Sequence, residues 1–136
     1  MEPDRTLFGS GPYPITGPLA IGARVMFLAA LAAIALAVLL PPDRVPQFLR
    51  SSYLEHFAAY YVATLLGLAA SPRASLPRVA VRISLFATLL EAAHLLGGAA
   101  LGSVVDNWVA DLGGMAAALA PFAVARFRRR FAPQPD

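Results

Sequence analysis

The sequence predicts an all-α integral membrane protein, a bundle of about four transmembrane helices with both termini cytoplasmic. Three observations lead there. Of the 136 residues, 58% are hydrophobic, and the mean hydropathy of +0.63 exceeds that of an ordinary soluble domain. Only 14% are charged, and these collect between apolar runs, whereas a soluble chain interleaves charge to cover its surface. All eleven basic residues are arginines, most of them at the ends of apolar runs, as the positive-inside rule describes.

The length suits one domain. The net charge of +3 and isoelectric point near 10.0 follow from juxtamembrane arginines and call for no nucleic-acid partner. With no cysteine, disulfides, thiolate metal sites and thiol catalysis are excluded.

Residues 1–18, rich in Pro and Gly, read as an irregular arm. Helix 1 is expected over residues 19–40, with no charge between Val25 and Pro42 and a stop at Pro41-Pro42. About twenty apolar residues suffice to span the hydrocarbon. A signal peptide fits less well, despite small-residue sites such as Ala33-Ile34-Ala35, because Glu2 and Asp4 spoil a basic leader. Residues 43–54 form a polar connection. Helix 2 is placed at 54–70, where Tyr53, Tyr60 and Tyr61 suit a membrane boundary. The segment Ser71–Arg78, with two prolines and two arginines, reads as a tight loop. Helix 3 follows at 79–97, Arg82 snorkelling near its start. Residues 98–103 turn the chain, helix 4 takes 104–125 in a transmembrane domain of 19–126, and 127–136 read as a basic cytoplasmic tail.

With the N-terminus inside, Arg5, Arg24, Arg73, Arg78, Arg82, Arg126, Arg128, Arg129 and Arg130 all lie inside, and only Arg44 and Arg50 outside. That bias predicts both termini in the cytoplasm.

Ionisable residues within a span cost about 3 kcal/mol at its centre on insertion scales and tend to face a bundle interior or a wet cavity. Here they fall, with uncharged residues, on stripes at helical spacing: His56, Tyr60 and Thr64 on helix 2; Ser84, Thr88, Glu91 and His94 on helix 3; Asn107, Asp111 and Gly114 on helix 4, with Asp106 beside them. Helix 1 has no such stripe and reads as a peripheral flank. At 1.5 Å per residue, Glu91 and Asp111 lie about 9 and about 10 Å below the same outer end. Three helices thus contribute to one polar zone in the outer leaflet: Glu91, His94, Asn107 and Asp111, with His56 and Tyr60 at its edge. Two carboxylates this close do not both stay ionised unless water or a cation reaches them.

Interhelical hydrogen bonding that holds the bundle together is one sufficient reading of these groups. Glu91-x-x-His94 has the spacing of a di-iron motif, but its required second copy is missing. Two histidines on neighbouring helices are a weak haem signature. No metal or cofactor is expected. Ser103, His94 and Asp106 lack a nucleophile elbow, and no catalytic residue is assigned. Ala110 and Gly114 make a small-xxx-small pair that predicts close helix approach.

From Ser51 to Ala120 the pattern resembles the VanZ-like family of small bacterial membrane proteins. Leu54-Glu55-His56-Phe57-Ala58-Ala59-Tyr60 is similar to the family's polar residue, His-Phe and downstream Tyr at the second helix. Glu91-Ala92-Ala93-His94 is similar to its Glu-x-x-Gln, with His for Gln. Asn107 to Gly114 is similar to its Asp-x-x-x-Asn-x-x-Gly with Asn and Asp exchanged. The family's intervening Arg has no counterpart in Ala99–Ser103. The resemblance implies a multi-helix envelope protein, its namesake being linked to low-level teicoplanin resistance.

The function expected is that of a non-enzymatic VanZ-like protein of the bacterial inner membrane, multi-pass, binding a lipid headgroup or cell-envelope component through the polar zone. Membrane lipids are its expected partners. The alternative is an accessory structural subunit of a larger membrane complex, such as an energy-transducing assembly.

Overall fold

The computed structural model describes residues 17–132. Within them the chain forms four α-helices and no strand: α1 Pro18–Leu39, α2 Ser52–Ala70, α3 Leu76–Leu96 and α4 Leu101–Arg130, with one 3-10 turn at Pro42–Arg44. Three of them, α1, α3 and α4, are long and apolar enough to cross a membrane. The fourth, α2, is diluted by Ser52, Glu55, His56, Tyr60, Tyr61 and Thr64.

Local chemistry accounts for the ends. Pro18 occupies the first turn of α1, where its missing N–H is not needed. Leu40 is extended because Pro41 follows it. Pro77 sits in the first turn of α3 for the same reason as Pro18. At the other end of α3, Gly97 and Gly98 close the helix by backbone bonds to Ala93 and Leu95, and the Ala99 N–H reaches the His94 carbonyl. Gly98 has φ +98°, a conformation that a side chain would strain.

These ends differ from the sequence expectation in two places. The turn expected over 98–103 contracts, because Gly102 and Ser103 belong to the first turn of α4. At its far end α4 runs on to Arg130, so residues 127–130 of the stretch expected as a tail are helical. Arginine is a good helix former, and Arg128, Arg129 and Arg130 lie in the last turn, where cations complement the helix dipole. Residues 1–16 of the expected N-terminal arm and 133–136 of the tail lie outside the described residues. Gly17 is the N-cap of α1, and Pro18 belongs to the helix.

Packing centres on α2. Its largest interface is with α4 and its next with α1, while α3 packs mainly on α4. Tyr60, Val79, Ile83 and Ala87 form the core, flanked by Phe27, Leu31 and Ile34 from α1. The buried positions recur at helical spacing: Tyr60, Ala63, Thr64, Gly67 and Ala70 on α2, and Val79, Ile83, Ala87 and Glu91 on α3. Ala20 is the one buried residue of α1. Val25, Leu28, Leu36 and Leu39 are exposed on α1, an apolar face suited to lipid contact.

Candidate functional site

A close backbone approach between α2 and α4 sets the geometry of the site. A Cβ at Gly114 would overlap the Phe57 carbonyl and stand 3.0 Å from the Tyr61 nitrogen. Ala110 on the same stripe is fully buried. Small residues let the two backbones meet, as the Ala110-xxx-Gly114 spacing predicts. The flanking residues are thereby brought together. His56 precedes Phe57, and Asp111 lies one turn before Gly114.

Consequently His56 Nδ1 stands 2.8 Å from Asp111 Oδ1. The third helix supplies Glu91, whose Oε1 is 3.8 Å from the same nitrogen. His56 therefore stands between the two carboxylates, at the centre of the zone and not at its edge. Both carboxylates are buried, Asp111 at 1% and Glu91 at 3% exposure. Asp111 Oδ2 and both Glu91 oxygens have no hydrogen-bond partner, and neither does the buried Tyr60 hydroxyl. An unpaired buried carboxylate oxygen is costly, more so in a medium of low dielectric.

The remaining expected residues ring this centre. His94 is half-buried one turn after Glu91, its Nδ1 3.5 Å from Glu91 Oε2. Asn107, buried, accepts a 3.4 Å hydrogen bond from Ser52 Oγ through its Oδ1. Tyr60 is fully buried one turn below His56 and packs its ring near Phe86. Thr64 and Thr88 donate to carbonyls of their own helices, at Tyr60 and Ser84 respectively. Those bonds satisfy both hydroxyls locally. Asp106 and Ser103 are exposed.

Depth differs among the helices. His56 is about 6 Å into α2 and Glu91 about 8 Å from the end of α3. Asp111 is about 15 Å from the start of α4, because α4 begins a turn earlier than its sequence pattern suggested. This places the cluster between the first turns of α2 and the last turns of α3.

Sequence reasoning missed two participants, Ser52 and Trp108, and the separate role of Glu55. Ser52 holds Asn107, and its position one turn before His56 extends the visible stripe backwards. Trp108 donates from Nε1 to Thr88 Oγ1 at 3.0 Å, tying α3 to α4. Glu55 does not enter the polar zone. Its Oε1 accepts the backbone N–H groups of Phe48 at 2.6 Å and Leu49 at 2.8 Å, folding the first connection back onto α2. No local periodicity signals that last role.

No protein-family model, curated protein or solved structure matches this chain.

Proposed function

We propose that this chain is a non-enzymatic, VanZ-like protein of the bacterial inner membrane that binds a lipid headgroup or cell-envelope component at the cluster of His56, Glu91 and Asp111. In this reading all four helices cross the bilayer, both termini are cytoplasmic, and the cluster lies in the outer leaflet. Support for a four-span arrangement comes from the packing of α2 on α1 and α4, which buries Tyr60 and Thr64 and leaves apolar Val62 and Leu65 exposed, since polar residues in a span are tolerated where protein covers them.

The observation that carries the proposal is the set of carboxylate oxygens without partners on two buried residues, beside histidines that are partly exposed. Such a cluster takes up N–H and O–H donors, which amine and sugar headgroups carry in abundance. His94 and Asn107 would flank the bound group, with Tyr60 beneath it.

Replacing Glu91 and Asp111 with Ala, singly and together, tests this. The expected outcome is altered sensitivity to envelope-directed antibiotics such as glycopeptides at unchanged protein levels. Unchanged sensitivity would sink the reading. Purification in mild detergent separates the accessory-subunit alternative: a lone small particle supports the binding role, and stoichiometric co-purification with a large complex supports the subunit.

A further inference from the structure

We infer that His56, Glu91 and Asp111 form a binding site for one divalent first-row transition cation of the Zn2+ type. One ligand atom from each residue lies within 4.8 Å of the others. His56 Nδ1 is 2.8 Å from Asp111 Oδ1 and 3.8 Å from Glu91 Oε1. Ligand atoms at zinc-ligand bond lengths in a tetrahedron stand about 3.3 Å apart. The two separations from His56 bracket that value and the two carboxylate oxygens lie within 4.8 Å of each other, so rotation of the carboxylate side chains brings all three atoms onto one ion.

A second observation, independent of proximity, points to a cation. Asp111 and Glu91 are almost wholly buried, and three of their four oxygens have no hydrogen-bond partner. Among the described residues neither carboxylate pairs with an arginine, histidines being their only ion-pair neighbours. Two buried carboxylates side by side repel unless something positive lies between them. A divalent cation balances two carboxylates and a neutral imidazole to zero net charge, the state that a low-dielectric interior favours.

The donor set narrows the ion. An imidazole with two carboxylates suits Zn2+, Fe2+ or Mn2+, whereas Mg2+ and Ca2+ take oxygen donors. Each ligand comes from a different helix, so the ion would also clamp α2, α3 and α4 together. Three protein ligands leave a further coordination position open to water or an anionic oxygen. His94 stands outside the triad, its Nδ1 facing the other Glu91 oxygen. The Glu91-x-x-His94 pair visible in the sequence is therefore not the ligand pair; His56 from the neighbouring helix takes that part.

The test uses the full chain, purified in mild detergent through a tag without histidine, stripped with a chelator and titrated with Zn2+ and Co2+. One ion per chain is expected, with visible d–d bands for the Co2+ form. X-ray absorption of the Zn2+ form should report one imidazole with oxygen donors. His56→Ala, Glu91→Gln and Asp111→Asn should each weaken binding by more than the roughly 100-fold that loss of an outer-shell partner costs, whereas Asp106→Ala, at an exposed carboxylate, should leave affinity unchanged. Helical circular dichroism and elution volume check that each variant is folded.

A folded wild-type protein that binds neither ion overturns the site, as does an absorption spectrum with two imidazoles or none. The wild-type spectrum decides the matter even if every variant unfolds. The cluster is shared with the headgroup reading, yet the two fail separately. Absence of metal leaves the antibiotic phenotype of the alanine variants intact as evidence. Metal binding without any such phenotype removes the envelope role and leaves the site.

Discussion

Tyr60 has a hydroxyl buried at 1% exposure with no hydrogen-bond partner, while its ring fills the core with Val79, Ile83 and Ala87. The ring stabilises the bundle and the hydroxyl opposes it. Replacing Tyr60 with Phe keeps the ring and removes an unsatisfied donor, so stability should hold or rise by up to about 1 kcal/mol. Thermal unfolding in detergent measures this, and a loss of more than that amount would mean that the hydroxyl is paired. A family-motif reading makes Tyr60 a functional group, and the packing makes it first a core residue. His56 moves the other way, from the rim of the expected zone to its middle. Both positions were visible as polar residues on one stripe of α2. Their depth relative to α4 was not, because it depends on how two helices meet and not on either helix alone.

Helix contact is governed by glycines of unequal importance. Gly114 lies against the backbone of α2, and an added Cβ would meet atoms that cannot rotate away. Gly113 faces the Phe57 ring at 3.4 Å, an ordinary contact. Gly22 in α1 has nothing within 4 Å. The three alanine variants should therefore rank in that order. Gly114→Ala should cost about 3 kcal/mol by overpacking, Gly113→Ala should be close to neutral, and Gly22→Ala should be neutral or stabilising by up to about 1 kcal/mol from helix propensity. Unfolding of the purified variants in detergent tests the ranking, and a mild Gly114→Ala would refute the close approach. The small-xxx-small spacing pointed to this interface in advance. The partner that fills it, Phe57 on α2, came only from the packing.

The number of crossings decides where the cluster sits in the membrane. With four crossings and the N-terminus inside, position 44 and position 99 face outward, whereas 73 and 128 face the cytoplasm. If α2 lies within the fold without crossing, 73 and 128 move outside and 99 moves inside. The chain has no cysteine, so single substitutions Arg44→Cys, Arg73→Cys, Ala99→Cys and Arg128→Cys report cleanly with a membrane-impermeant thiol reagent on intact cells. Labelling of 44 and 99 before permeabilisation, and of 73 and 128 only after it, is the expected pattern. Labelling of 44, 73 and 128 together on intact cells, without 99, would reduce the crossings to three.

The helical architecture was legible from the chain because its causes are local. Apolar runs of spanning length, prolines at helix starts and the glycine pair after α3 act through neighbouring residues, and they locate all four helices to within a few positions. The exception is the far end of α4, where arginines that read as a tail continue a helix that runs on past Pro121. Polar stripes at helical spacing likewise put His56, Glu91 and Asp111 each on a shared helix face with other polar residues. Which of them meet is a different kind of fact. His56 and Asp111 are 55 residues apart in the chain and 2.8 Å apart in space, joined because Gly114 lets α4 lie directly on α2. Only the tertiary structure could select His56 over His94 as the partner of both carboxylates, since that choice is set by the rotation and contact of separate helices, and helical periodicity carries no information about either.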